Sequence, residues 1–346
     1  MTPFPTAGIQ VVAHRGASAL LPEHTLAAHA RAIADGADWI EPDLVMTGDG
    51  VLVARHENEL GDSTDVAAHP RFAARRRRKI IDGRLIEGWF SEDFTLAELK
   101  TLRARERLPG LRGTAHDGWF PIPTLAEIID LAAAEAQARG RVIGLIPELK
   151  HGTYFQHIGL PMEDALLAAL AAHPYCRQAP VAIQSFEIGN LRALSDRLDT
   201  AHHNIELVQL IGAPQQSPPD VLAAGRTLRY ADMLTPQGLA DIAAYAGILS
   251  PERRQVMSVD EHGDWHQPTG LVQAAHAAGL KVIPYTFRPE NHFLAPAFRD
   301  GDDPARIHRP GAVAELQGFL KAGIDGFFTD DPASGRLAVD AFVANR

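Results

Sequence analysis

The sequence predicts an α/β chain closed into a (β/α)8 TIM barrel, and three observations carry that prediction. Short apolar runs of strand type alternate with helical stretches along most of the length, eight times in all. Several helical stretches stop at a glycine (Gly36, Gly140, Gly279 and Gly323), the residue that most readily takes the left-handed turn ending a helix. Ionisable residues gather where the apolar runs end, and in such barrels the C-terminal strand ends meet at one mouth. An open doubly wound sheet is the alternative, but no G-x-G-x-x-G follows the first strand.

In order, the strand candidates are residues 9–14, 39–45, 141–148, 181–185, 205–211, 247–250, 281–287 and 326–329. Helical patterns such as HTLAAHARAIADGA, TLAEIIDLAAAEAQA, EIGNLRALSDRL and AVAELQGFLKAG separate them. The first strand closes on His14 and Arg15, and Gly16 then lets the backbone turn sharply. On the second, Glu41 and Asp43 stand two apart, so both carboxylates share one face. Gly48, Asp49 and Gly50 predict a hairpin turn after it. Residues 51–56 then return antiparallel, setting Met46 against Val51 and Glu41 roughly against His56. The third strand ends with Glu148 and Lys150 on one face, and the fourth with Gln184 and Phe186. The seventh ends with Tyr285 and Phe287, and the eighth runs into Asp330 and Asp331.

Residues 58–121 break the alternation. They are polar, arginine-rich and interrupted by Gly and Pro, and read as an insertion that caps the mouth within one barrel domain spanning residues 1–346. The basic run at 75–79 reads as a solvated helix face in that insertion. A second irregular stretch, 213–230, carries PQQSPPD as a surface loop.

Composition narrows the class. Hydrophobic residues make up 46% and mean hydropathy is −0.10, as in a soluble globular protein with ample core. No apolar run approaches the ~20 residues of a membrane span, so stable membrane insertion is not expected. The first ten residues lack a signal-peptide pattern. The chain therefore reads as cytoplasmic, or as periplasmic if a leader has been trimmed. A formal net charge of −10, from 33 basic and 43 acidic residues, argues against nucleic acid as a partner. The lone Cys176 excludes a disulfide framework and a cysteine metal cluster, and reads as a packed small hydrophobe. Oligomeric state is left open, a homodimer included.

The strand-end residues form a chemical set. Glu41, Asp43 and Glu148 make an all-oxygen site suited to Mg²⁺, Ca²⁺ or Mn²⁺ rather than zinc. Arg15 and Lys150 add fixed positive charge for a phosphate. His14 and His56 can accept and donate protons near neutral pH. Together these parts describe metal-assisted cleavage of a phosphodiester. Phe186, Tyr285 and Phe287 are candidate apolar walls for the substrate, core packing being their alternative, and Gln184 joins the substrate-binding set.

The motifs HRGAS, PEHTL, the E-P-D of WIEPDL, the hairpin ending in His56, PELK, QSFE, YTFR and GFFTDDP occur in this order. They resemble the glycerophosphodiester phosphodiesterase family from about residue 11 to 335. PEHTL and the later STDV resemble its long, periplasmic-type branch. The resemblance implies a (β/α)8 barrel, one divalent cation (Ca²⁺ or Mg²⁺), and hydrolysis of glycerophosphodiesters to glycerol 3-phosphate and an alcohol. Carried onto this sequence, it implies metal ligands at Glu41, Asp43 and Glu148, and catalytic histidines at His14 and His56. It implies phosphate contacts at Arg15 and Lys150. The attacking group stays open between water and the neighbouring glycerol hydroxyl. A barrel that binds phosphodiesters without cleaving them, and a related barrel acting on lysophospholipid or sphingomyelin, are the rival readings.

One departure stands out. The family usually has Asp after its second histidine, whereas Glu57 follows His56 here. On an extended arm Glu57 should point away from the His56 face and hold the insertion or a basic residue near the mouth. Glu23 and His24 read as helix-start residues, with Glu23 able to pair with Arg15. Asp330 and Asp331 read as caps of the last helix. The remaining histidines, among them His29, His69, His116, His157, His173, His202 and His203, read as surface or satisfied structural residues.

Overall fold

A computed structural model describes residues 8–198 and 202–345. Most of the N-terminal decapeptide considered above for a leader pattern lies outside that range. Eight parallel strands form the barrel: β1 Gln10–His14, β2 Trp39–Glu41, β3 Gly144–Leu145, β4 Val181–Ser185, β5 Ile205–Leu210, β6 Ile248–Ser250, β7 Lys281–Val282 and β8 Gly326–Thr329. From β1 to β7 each pairs in parallel with the next in sequence, and β1 also pairs with β8. The β7–β8 seam is closed by the Phe328 N–H donating to Pro284 O at 3.0 Å and the Phe287 N–H donating to Phe328 O at 2.8 Å. The alternative open sheet is thereby excluded.

Strand alternation sorts the side chains. Val12, Trp39, Ile146, Ala182, Val208, Ile248, Ile283 and Phe328, one from each strand segment, pack together as a buried cluster inside the barrel. Residues of the other parity, such as Val11, Ala13, Ile40, Val181, Ile183 and Phe327, join the larger core beneath the helices. Continuing the inward parity by two residues reaches His14 from Val12, Glu41 from Trp39, Glu148 from Ile146, Gln184 from Ala182 and Asp330 from Phe328. The hydrophobic plug and the polar mouth are consecutive layers of one pattern.

Pro42 interrupts the second strand, which resumes at Asp43–Met46, and the third likewise resumes at Glu148–Leu149. Asp43 pairs with Glu148 in parallel register, which carries two acids side by side to the mouth. The hairpin register differs from the expected one. Leu52, not Val51, stands opposite Met46, because residues 48–50 lie inside the turn closed by Thr47 and Val51. The same offset puts Ala54 opposite Leu44, so Glu41 and His56 are not cross-strand partners.

Residues 58–121 hold short helical turns and an antiparallel hairpin, Arg77–Ile81 with Arg84–Gly88. The basic run at 75–79 is thus mostly β-strand, not a helix face. Its charges are paired within the insertion: Arg75 with Glu98, Arg76 and Arg78 with Glu87, and Lys79 with Glu92 and Asp93. Among the described residues no helix is long and apolar enough to cross a membrane.

Candidate active site

At the end of β1 the chain turns through two left-handed residues, Arg15 (φ 61°) and Gly16 (φ 86°). A Cβ on Gly16 would come within 2.6–2.8 Å of Ala28, so glycine is required by space as well as by φ. The turn aims the Arg15 N–H at Glu41 Oε2, 2.8 Å away. The Arg15 guanidinium lies 3.0 Å from Glu23 and 3.1 Å from Asp43. The Glu23–Arg15 pair is the one the sequence allowed.

Glu41, Asp43 and Glu148 converge so closely that one oxygen from each falls within 4.8 Å of the others. Glu41 and Asp43 are each only 1% exposed. Gln184 donates to Glu41 Oε1 at 3.1 Å, and His24 Nε2 lies 3.0 Å from Asp43 Oδ2. Lys150 Nζ lies 3.0 Å from Glu148. Asp43 Oδ1 is buried with no hydrogen-bond partner. Burial and the neighbouring Asp43 carboxylate hold Glu41 well above the usual carboxylate range. Glu148 is likewise pushed up by burial, with Lys150 opposing. Burial also works against the Asp43 anion, but Arg15, Lys150 and His24 outweigh it and hold Asp43 well below its ordinary value. Crowded buried carboxylates with an unpartnered oxygen fit a hard divalent cation, which would satisfy that oxygen and cancel the mutual repulsion.

Two histidines flank the carboxylates, each backed by an acid. His14 Nδ1 is 2.6 Å from Asp330 Oδ1. Asp330 is itself held by Arg112 at 2.6 Å and Arg288 at 2.8 Å. His56 Nδ1 is 3.0 Å from Glu57 Oε1. Burial, aided by Arg15, lowers His14 to about 4, and burial with Arg15 and Lys150 lowers His56 to about 3. Both rings are therefore neutral at pH 7.

Several expectations need correction. Glu57 does not point away from His56: its carboxylate touches His56 Nδ1 and, at 2.9 Å, His151 Nε2. The extra methylene of Glu lets one carboxylate span both imidazoles. Phe287 is no pocket wall. Regular pairing of β7 stops at Val282, so strand parity does not extend to residue 287, and its ring packs edge-on against Phe319 and Phe327 in the outer core. Tyr285 is tied by its hydroxyl to Ile211 O at 2.7 Å and supports Phe186 edge-on. Gln184, 1% exposed, lies under Glu41 rather than on the cavity wall. Asp331 stands at the N-cap of the last helix, Pro332–Ala344, without a side-chain cap bond, and Asp330, one residue before it, is not the cap. It anchors His14 instead.

His24 was missed as a site residue because a helix start explained it. Thr25 already caps that helix, Leu26–Ala34, accepting from Ala28 N–H, so His24 was free to turn inward. That adjacent threonine was the available signal. His29 is neither surface nor satisfied: both its ring nitrogens are buried without a partner.

A cavity of ≈ 990 Å³ opens above these groups, lined in part by His56, Glu148, Lys150, Phe186, Glu187 and Tyr230. Asp82, Arg84 and Trp89 of the insertion form one wall, and the PQQSPPD segment, expected as a surface loop, contributes Gln215 to Ser217.

Comparison with known proteins agrees with this geometry. The model of the glycerophosphoryl diester phosphodiesterase family matches residues 14–334. A glycerophosphodiester phosphodiesterase of Arabidopsis thaliana is 34% identical over 342 residues, covering 95% of this chain and 85% of the relative. One from Haemophilus influenzae is 29% identical, covering 94% and 88%. The structure of an Oleispira antarctica phosphodiesterase in complex with the product sn-glycerol-3-phosphate superposes with a TM-score of 0.59 at 21% identity, covering 98% of this chain and all of the other. That likeness establishes the shared barrel fold.

Proposed function

The chain belongs to the glycerophosphoryl diester phosphodiesterase family, and on that footing we propose that it hydrolyses small glycerophosphodiesters to glycerol 3-phosphate and an alcohol with one divalent cation, Mg²⁺ or Ca²⁺. The observation that carries this reading is the meeting of three buried carboxylates between two acid-backed histidines, with Arg15 and Lys150 alongside.

Glu41, Asp43 and Glu148 would hold the cation. Bound there, it would polarise the phosphoryl oxygens and offset charge developing on them. Arg15 and Lys150 are held cationic: burial works against both charges, but Glu23 and Asp43 around Arg15, and Glu148 and Asp43 around Lys150, more than offset it. They bind and orient the phosphate. Nδ1 of each histidine is committed to a carboxylate, so Nε2 of His14 and of His56 is the nitrogen that moves a proton. One histidine takes the proton of the attacking oxygen at Nε2; the other, neutral at rest, first takes up a proton at Nε2 and then gives it to the leaving alkoxide. Phe186, placed near Lys150 Nζ at 5.8 Å, supplies apolar surface for glycerol carbons. A cavity walled by the polar insertion suits a compact, deacylated diester.

Product analysis on glycerophosphocholine tests the reading. Glycerol 3-phosphate and choline are expected. Release of phosphocholine and glycerol, or faster cleavage of lysophosphatidylcholine, would contradict it.

A further inference from the structure

The insertion is wired to one of the histidines. Its hairpin turns at Asp82 (φ 48°) and Gly83 (φ 78°), and the left-handed Asp82 throws its carboxylate toward the barrel. There it meets His151 Nδ1 at 2.6 Å. His151 follows Lys150 at the end of the third strand and is itself left-handed (φ 54°), which turns its ring back toward the mouth. Its Nε2 meets Glu57 Oε2 at 2.9 Å, and Glu57 Oε1 reaches His56 Nδ1 at 3.0 Å. Four side chains from the insertion tip, the third strand end and the hairpin arm thus form one continuous line. Asp82 takes the positive φ that a two-residue Asp-Gly hairpin turn requires, whereas His151 holds it outside any such turn, at a cost in free energy that points to a selected geometry. The two carboxylates keep His151 charged, raised to about 9 although burial opposes it, so both ring N–H groups donate.

We propose that Asp82 is a positioning residue for the hydrolysis described above: through His151 it fixes the Glu57 carboxylate, and through Glu57 the ring of His56. The insertion tip then has two effects. It closes one wall of the cavity, which is lined by Asp82, His151, Glu57 and His56 together. It also couples that closure to the alignment of a proton-transferring histidine. This rests on His56 having the role proposed above.

The experiment is a double-mutant cycle on kcat and KM, with glycerophosphocholine and saturating cation. Asp82→Ala should lower kcat about tenfold, within the range of roughly 10–100-fold seen when an outer partner of an active group is removed, and leave KM little changed. Asp82→Asn, which keeps an acceptor oxygen and tolerates the left-handed backbone, should recover most of the loss. In the Glu57→Ala background Asp82→Ala should cost almost nothing further, because the line is already cut. Wild-type kcat in Asp82→Ala, a loss confined to KM, or the same fold-loss in the Glu57→Ala background would overturn the inference. Thermal melting of each variant separates these results from misfolding, and if Asp82→Ala melts early, Asp82→Gly, which removes the carboxylate and suits the left-handed turn, carries the cycle. A wild-type chain that cleaves no glycerophosphodiester would instead overturn the functional reading.

Discussion

Asp330 Oδ1 stands 2.6 Å from His14 Nδ1, joining the end of the last barrel strand to the end of the first. The contact exists only because the barrel closes. It fixes which nitrogen of His14 carries the proton, since an anionic carboxylate accepts and cannot donate. Burial opposes the Asp330 charge, but Arg288 and Arg112 hold its carboxyl well below the ordinary range.

Asp330→Asn tests that role. The amide can present N–H to Nδ1 and so favour the wrong tautomer, with kcat expected to fall about 10–100-fold at unchanged fold. Asp330→Ala should in addition lose stability, on the order of 3–5 kcal/mol, because the buried Arg112 guanidinium is left with less compensation. Kinetics paired with denaturant unfolding separate the two effects. Equal activity in Asp330→Asn and wild type would remove Asp330 from the account.

Much of the site was legible in the sequence for a geometric reason. Strand parity carries Val12 to His14, Trp39 to Glu41 and Ile146 to Glu148, so chemistry at a strand end announces which face it shares with the plug. The parts that were not legible depend on contacts between distant segments. His24 reaches Asp43 only through a left-handed turn (φ 65°) before its helix. Asp330 acquires its role from Arg112 of the insertion, 218 residues away in sequence. The hairpin register turned on a single residue in the turn, and Phe287 left the inward face because regular pairing ended before it.

Phe287 and Phe186 give a paired prediction. Phe287→Ala should cost about 3–5 kcal/mol of stability, as large aromatic truncations in a core do, with KM unchanged in what remains folded. Phe186→Ala, on the cavity wall, should raise KM with a smaller loss of stability. Urea unfolding and steady-state kinetics on both variants read this directly. The reverse pattern would return Phe287 to the pocket.

His29 predicts an acid limb of stability. Burial, helped by the neighbouring His24, lowers it from 6.5 to about 3. A base whose folded pKa lies below its unfolded value binds fewer protons when folded. Stability therefore falls as pH drops below about 6.5 and levels off below about 3. His29→Leu removes one such group without touching the carboxylate site. Between pH 7 and pH 5 its melting temperature should fall less than that of the wild type. Parallel curves for the two proteins would show that His29 takes up no proton on unfolding.

The carboxylate cluster predicts the effect of neutralisation. With chelator present, Glu41→Gln should be at least as stable as wild type above pH 5, because burial and repulsion from Asp43 already disfavour the Glu41 anion. The advantage should grow as pH rises above the ordinary carboxylate range, where the unfolded chain releases its proton and the folded site resists doing so. Added Mg²⁺ or Ca²⁺ should raise the melting temperature of wild type and leave Glu41→Gln nearly unmoved. Equal cation-induced shifts in both would place the cation elsewhere.

The most direct test of the central claim is release of glycerol 3-phosphate from glycerophosphocholine, measured before chelation, in excess EDTA, and after Mg²⁺ or Ca²⁺ is restored, with Asp43→Asn run beside wild type. The account predicts turnover by wild type that stops in EDTA and returns with cation, and none by Asp43→Asn under any condition. Undiminished turnover in excess chelator, or wild-type rates from Asp43→Asn, would contradict it.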